Sequence, residues 1–384
     1  MRLVMTRPSL TTLLSLVLFA SASDVAHAQE QTDPAPERVE FELDGQQRIA
    51  LGNILVEAED GGILLQARNQ TIWPLQPDEI VSRKQLDDAP DPLSRKELAA
   101  AVQNELGAGF RIHQTKHYII CYNTSPNYAK WCGALFERLY RGFDYYWGSK
   151  GIKLQKTPPL VACVFRNKKS YQAYGRPELG KTIESILGYY SYKTNRIAMY
   201  DLTAGQRLNA AAITKYMRTE RTVATVIHEA THQLAFNTGL QQRFADIPLW
   251  LSEGLAIYFE TPDLTNGKSW RTIGKVNQVR LRQFGEYVRG GHRRPDSLLK
   301  LVQSDDRFQQ LGNARYAYAE SWAFCYFLIK HHPKAFVDYL KILQKKEPLI
   351  THSPEERIAD FVTAFGKPPH EMNDAFMKRV VKLR

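Results

Sequence analysis

The stretch TVATVIHEATHQLAF, Thr222 to Phe236, sets His228 and His232 four residues apart with Glu229 directly after the first. A helix turns about 100° per residue, so the two imidazoles leave one face within about 40° of each other and one turn apart. Glu229 lies about 100° around, beside anything the two rings hold but not aimed at it. Val223, Val226, Ile227 and Leu234 surround these polar groups with apolar side chains. Burying polar groups in that setting is costly unless they share a purpose, and a metal ion held by two neutral imidazoles supplies one. This is the arrangement in which a carboxylate adjacent to the ion handles the protons of its water.

Two imidazoles leave a catalytic zinc site short of its usual third protein ligand. Glu253 is the candidate. It stands 21 positions after His232 in PLWLSEGLAIYFE, where Trp250, Leu251, Leu255 and Tyr258 give a second apolar helix and Pro248 favours a break before it. Glu260 is the fallback ligand.

HEATH followed by WLSEGLAIYFE resembles the gluzincin metallopeptidases of the peptidase-MA-like superfamily, whose third ligand is a glutamate on a second helix. More closely, the run from about Leu93 to the C terminus resembles a family of uncharacterised secreted bacterial proteins with a gluzincin-like domain. The resemblance implies Zn2+ on His228, His232 and Glu253, with Glu229 as general base. It also implies a tyrosine donor to the oxyanion. In ARYAYAESWAFCYFLIKHH, Tyr318 matches that position best and Tyr316 second. The chain departs from some gluzincins one turn after the third ligand, where an acid that orients a histidine is replaced by Ile257. The support for the histidines has to come from another residue.

The rest of the chain fits around this motif. Arg2 and Arg7 precede a short apolar run, Leu10 to Ala20, and Ala26-His27-Ala28 follows, which reads as a cleaved secretory signal over residues 1–28. The apolar run is too short to span a bilayer, so no transmembrane segment is expected in the mature chain, and the expected location is periplasmic or extracellular. The formal charge of +11 suits contact with acidic envelope material or anionic substrates, while no nucleic-acid-binding motif accompanies it. RGGHRRP, Arg289 to Pro295, reads as a solvated loop. Cys121, Cys132, Cys163 and Cys325 lack metal-ligand spacing, and at most one disulfide is expected among them.

Residues 29–88 alternate apolar and polar positions around EDGG and RNQT and read as a small β module with its linker. Pro90 and Pro92 stop regular structure, and Ser94 with Glu97 forms a capping box that opens a helix. HYIICYN and LVACVF read as buried strands, and SILGYYSYKTNRIAMYDL as a hairpin turning at Lys193-Thr194-Asn195. The strand from Asn195 to Tyr200 is the candidate sheet edge for holding an extended peptide. The fold class is therefore α+β: a zincin-like mixed sheet with its motif helix over 93–245, a mainly helical part over 246–384, and an N-terminal all-β module. The expected function is secreted, zinc-dependent hydrolysis of peptide bonds in a peptide or protein substrate. A non-peptidase zinc amidase on cell-wall material and a zinc-bearing scaffold without turnover are the competing readings. Sequence leaves the oligomeric state open.

Overall fold

The structure, a computed structural model, describes residues 35–204, 210–217, 219–261, 270, 272–310 and 312–383. The expected signal segment, 1–28, lies outside them. Among the described residues no helix is long and apolar enough to cross a membrane.

Among the described residues the architecture is α+β, with two five-stranded sheets and thirteen helices. The N-terminal module contains β1 (Ala35–Leu43), β2 (Gln46–Glu57), β3 (Ile63–Ala67), β4 (Ile72–Leu75) and β5 (Ile80–Gln85), in the order β4-β3-β2-β1-β5. Period-two alternation sends Val39 and Phe41 of β1 inwards, where Ile54, Ile63, Leu65 and Leu75 meet them. Ser94 caps α1 (Arg95–Leu106) by accepting from the Glu97 N–H, and the Glu97 carboxylate accepts from the Ser94 N–H in return.

The second sheet is built from β6 (Arg111–Gln114), β7 (Tyr118–Tyr122), β8 (Leu160–Phe165), β9 (Gly188–Ser191) and β10 (Arg196–Tyr200), in the order β6-β7-β8-β10-β9. β7, β8 and β10 run parallel and are buried on both faces, which is why HYIICYN and LVACVF read as continuous apolar runs. Between them lie α2 (Pro126–Gly148) and α3 (Lys168–Leu179). β9 and β10 form the expected hairpin, and Asn195 sits at a φ of 59° in its turn. The order corrects one expectation. The Asn195–Tyr200 strand is not an edge, because β10 is paired on both sides, parallel with β8 and antiparallel with β9. β9 takes the outer position, since the short hairpin turn must place it next to β10 while the parallel crossover has already put β10 beside β8.

After α4 (Ala210–Met217) come the motif helix α5 (Glu220–Asn237), capped by Thr219, and the second motif helix α6 (Leu249–Phe259). The remaining helices are α7 (Gln278–Arg289), α8 (Ser297–Gln303), α9 (Asp306–Gln309), α10 (Ala314–His331), α11 (Pro333–Leu343), α12 (Pro354–Phe365) and α13 (Asn373–Val380). α6 is buried on every side and packs on α10 through Gly254. A Cβ there would meet the Cys325 sulfur and lie 2.7 Å from the Ser321 carbonyl oxygen. The RGGHRRP segment is the expected exposed loop after α7, with one exception. The Arg293 side chain turns inwards, where its guanidinium pairs with Glu320 (2.7 Å) and stacks over Phe284 and Phe376. All four cysteines are buried thiols.

The β module docks on the sheet beside the motif helix. The Ile72 N–H donates to the Lys193 carbonyl (2.7 Å), and Arg243 Nη1 bridges the Gln70 (2.9 Å) and Tyr192 (3.1 Å) carbonyls.

Candidate metal centre

α5 and α6 bring His228, His232 and Glu253 together. One ligand atom from each lies within 4.8 Å of the others. His228 Nε2 is 3.1 Å from Glu253 Oε2, His232 Nε2 is 3.2 Å from His228 Nε2, and Glu253 Oε1 is 3.5 Å from His232 Nε2. All three residues are buried, Glu253 completely.

The outer nitrogens decide what the inner ones offer. Glu260 Oε1 sits 2.7 Å from His228 Nδ1, and Glu260 Oε2 accepts from Asn277 Nδ2 at 3.1 Å. A carboxylate only accepts, so His228 Nδ1 donates to Glu260, and in the neutral form of the ring the lone pair that remains is the inward-facing one on Nε2. Ser252 Oγ is 3.3 Å from His232 Nδ1 and donates to Gln241 Oε1 at 3.3 Å. Its hydrogen being committed, Ser252 accepts from His232 Nδ1, and the second Nε2 also faces inwards. Two nitrogen lone pairs and a carboxylate then converge in a site shielded from water. Such a donor set is self-repelling until a positive charge sits among it.

The electrostatics agree. Burial opposes a charge on His228, but hydrogen bonds to Glu253 and Glu260 outweigh it and push its pKa up to about 10. Burial likewise opposes ionisation of Glu253, yet the neighbouring His232 and His228 hold it down to about 2. Both shifts describe a place that draws a cation, whether a proton or a metal. Two imidazoles and one carboxylate, each histidine supported from behind, match what a zinc ion takes from a protein.

Glu260, the fallback ligand, is therefore corrected to a support. It lies two turns beyond Glu253, a rise of about 10.5 Å, and meets the far nitrogen of His228 rather than the shared centre. It fills the role left vacant by Ile257. Glu229 is buried on the same helix. It lies next to the edge strand, where a Cβ added to Gly188 would be 3.3 Å from Glu229 Cγ.

The two tyrosines of α10 go to different places. Tyr318 is buried, and its hydroxyl pKa is raised first by that burial and then by the charges of Glu253 and Glu229. Tyr316 instead stacks on Tyr287 (4.8 Å between ring centroids) and lines a separate cavity of about 170 Å³ with His292 and Arg307. Tyr192, Ser252, Gln241, Asn277 and Arg280 were not singled out from sequence. Tyr192, in the hairpin after β9, is raised by burial and then by Glu253, and bonds to Ser252. Its position is set by tertiary contacts, whereas Ser252, beside Glu253 the one other polar side chain in WLSEGLA, was a legible signal.

Residues 222–350 match a family model described as "Protein of unknown function (DUF1570)". The match begins in the motif helix and runs past α11, so it spans both motif helices and α10. No curated protein matches the chain.

Proposed function

We propose that this protein is an exported, zinc-dependent peptide-bond hydrolase of the gluzincin type. The observation that carries the reading is the convergence of His228 Nε2, His232 Nε2 and the Glu253 carboxylate in a buried centre that draws positive charge. A bound zinc ion supplies Lewis acidity towards the scissile carbonyl and a lowered pKa for water.

The chain's own groups do the rest. Glu229 takes the proton from the attacking water and delivers it to the leaving nitrogen. Tyr318, neutral because its pKa is raised, donates a hydrogen bond to the developing oxyanion. Glu260 and Ser252 keep both rings turned inwards. β9, the outer strand of its sheet, runs past Glu229 and offers main-chain groups to an extended peptide. With no side chain of its own, Gly188 lets this strand pack directly against the base.

The test is bound zinc and hydrolysis of a panel of peptides and peptidoglycan fragments, for wild type, Glu229→Gln and His232→Ala. Wild type should bind one zinc and cleave; Glu229→Gln should keep the zinc and lose cleavage; His232→Ala should lose both. Wild type that binds no stoichiometric zinc refutes the reading. Zinc binding without cleavage of anything on the panel leaves a scaffold, and cleavage confined to peptidoglycan fragments makes the protein a cell-wall amidase.

A further inference from the structure

We propose that Arg280 is the receptor for a carboxylate on the substrate, a reading that rests on the hydrolase function above. α7 starts at the metal centre. Its cap, Asn277, donates to Glu260 Oε2 (3.1 Å) and accepts from the Arg280 N–H (3.1 Å). One turn into the helix, the Arg280 guanidinium carbon lies 5.7 Å from the ring centroid of Tyr318, the tyrosine whose hydroxyl feels Glu253 and Glu229. Two separate routes, through Glu260 and through Tyr318, thus tie the first turn of α7 to the ligands.

Arg280 is only 7% exposed. Among the described residues its guanidinium has one hydrogen-bond partner, the neutral Gln283 Oε1 at 3.2 Å, besides the face of Tyr318. Three other arginines with buried side chains are neutralised by carboxylates, whereas Arg243 is satisfied by two backbone carbonyls. Arg196 pairs with Glu105 (2.7 Å), Arg293 with Glu320 (2.7 Å), and Arg357 with Asp246 and Asp305. A buried cation without an anion is expensive, and a ring face compensates it only in part. The missing partner is an anion that arrives with the ligand. A guanidinium presents a planar fork of donors that matches a carboxylate in two-point contact, so the ligand class is a carboxylate close to the scissile bond. It comes either from the C terminus of the substrate or from an acidic side chain.

The experiment measures binding, not turnover, to zinc-loaded Glu229→Gln protein by titration calorimetry. The probes are N-acetylated tripeptides made as C-terminal acid or amide, with Asp or Asn as the last residue. One acid should bind on the order of ten- to a hundredfold more tightly than its neutral match. Preference for the free terminus makes the enzyme a carboxy-terminal exopeptidase; preference for the side chain assigns an acidic residue at that subsite. Arg280→Met in the same background should abolish the preference, and Arg280→Lys should keep a smaller one, which carries the test if the methionine variant does not fold. Equal affinities for acids and neutral matches, a preference that survives Arg280→Met, or no binding of any probe overturns the proposal. The two readings fail separately: Arg280-dependent binding without hydrolysis by the unmutated enzyme sinks the hydrolase, while hydrolysis with charge-blind binding sinks the carboxylate receptor.

Discussion

Replacing Glu260 by alanine separates a ligand from a support. The carboxylate reaches His228 Nδ1 at 2.7 Å and takes no part in the cluster formed by His228, His232 and Glu253. Removing it leaves all three donors in place but frees the His228 ring to rotate and to protonate Nε2 instead of Nδ1. Losing an outer partner of this kind typically weakens metal binding about 10- to 100-fold, or about 1.4 to 2.7 kcal/mol. The loss of the Asn277 contact, at 3.1 Å on the other carboxylate oxygen, loosens the start of α7 but touches no ligand. Glu260→Gln, which can still accept from Nδ1 without the charge, should fall between wild type and alanine. The assay is competition for zinc with a chromogenic chelator, alongside His228→Ala as the reference for loss of a true ligand. An affinity in Glu260→Ala within twofold of wild type refutes the supporting role, and a loss equal to that of His228→Ala refutes the separation of ligand from support.

Tyr318→Phe should lower kcat about 100-fold with KM nearly unchanged, because the hydroxyl acts on the oxyanion and not on the bound peptide; steady-state kinetics on the best panel substrate checks it. Gly254→Ala should cost about 1 to 3 kcal/mol in urea unfolding, since its methyl meets the Cys325 sulfur and the Ser321 carbonyl where α6 crosses α10. Glu137 accepts from Thr115 Oγ1 (2.7 Å), the His117 N–H (2.6 Å) and His117 Nδ1 (2.8 Å); burial opposes its charge, but these bonds outweigh it and lower its pKa. The stabilisation is then complete above the unfolded glutamate value of about 4.3 and is lost as pH falls through the lower folded value. The stability gap between wild type and Glu137→Gln should accordingly hold from pH 7 to about 5 and close in acid, and a gap that widens in acid would contradict the assignment.

The parts of the centre that lie within one helix were the ones readable in advance. His228 and His232 share a face by counting residues, and Glu253 stood out as a charge in an apolar helix. Glu260 was visible as an acid but not as a support. Helical geometry puts it on the face of Glu253, because seven residues return to nearly the same angle, yet which nitrogen of which histidine it meets depends on how α5 and α6 cross. The strand edge was misplaced for a similar reason. Alternation identifies β9 and β10 as a hairpin, but not which of the two lies against β8. Arg293 looked solvated because its run contains two glycines and a proline, while its buried partner, Glu320, lies 27 residues away.

The placement of Glu253 itself depends on residues that looked merely helical in sequence. The N-terminal turn of α6 is held by Asp305, whose Oδ1 accepts from the Leu249 N–H at 2.9 Å. Asp305 is in turn gripped by Arg357 of α12 at 3.0 Å, which also binds Asp246 in the loop leading out of α5. One arginine thus ties the α6 end of the α5–α6 connection to the C-terminal helices. Burial raises the pKa of Asp305, and Arg357 opposes that rise. On the other flank, α10 supplies the surface that admits only glycine at position 254, directly after the ligand. The helical region after the motif therefore acts as the frame that fixes how far Glu253 stands from the two histidines. A ligand set spread over two helices is only as well aligned as the contacts that fix their crossing, and here most of those contacts come from residues well beyond the motif.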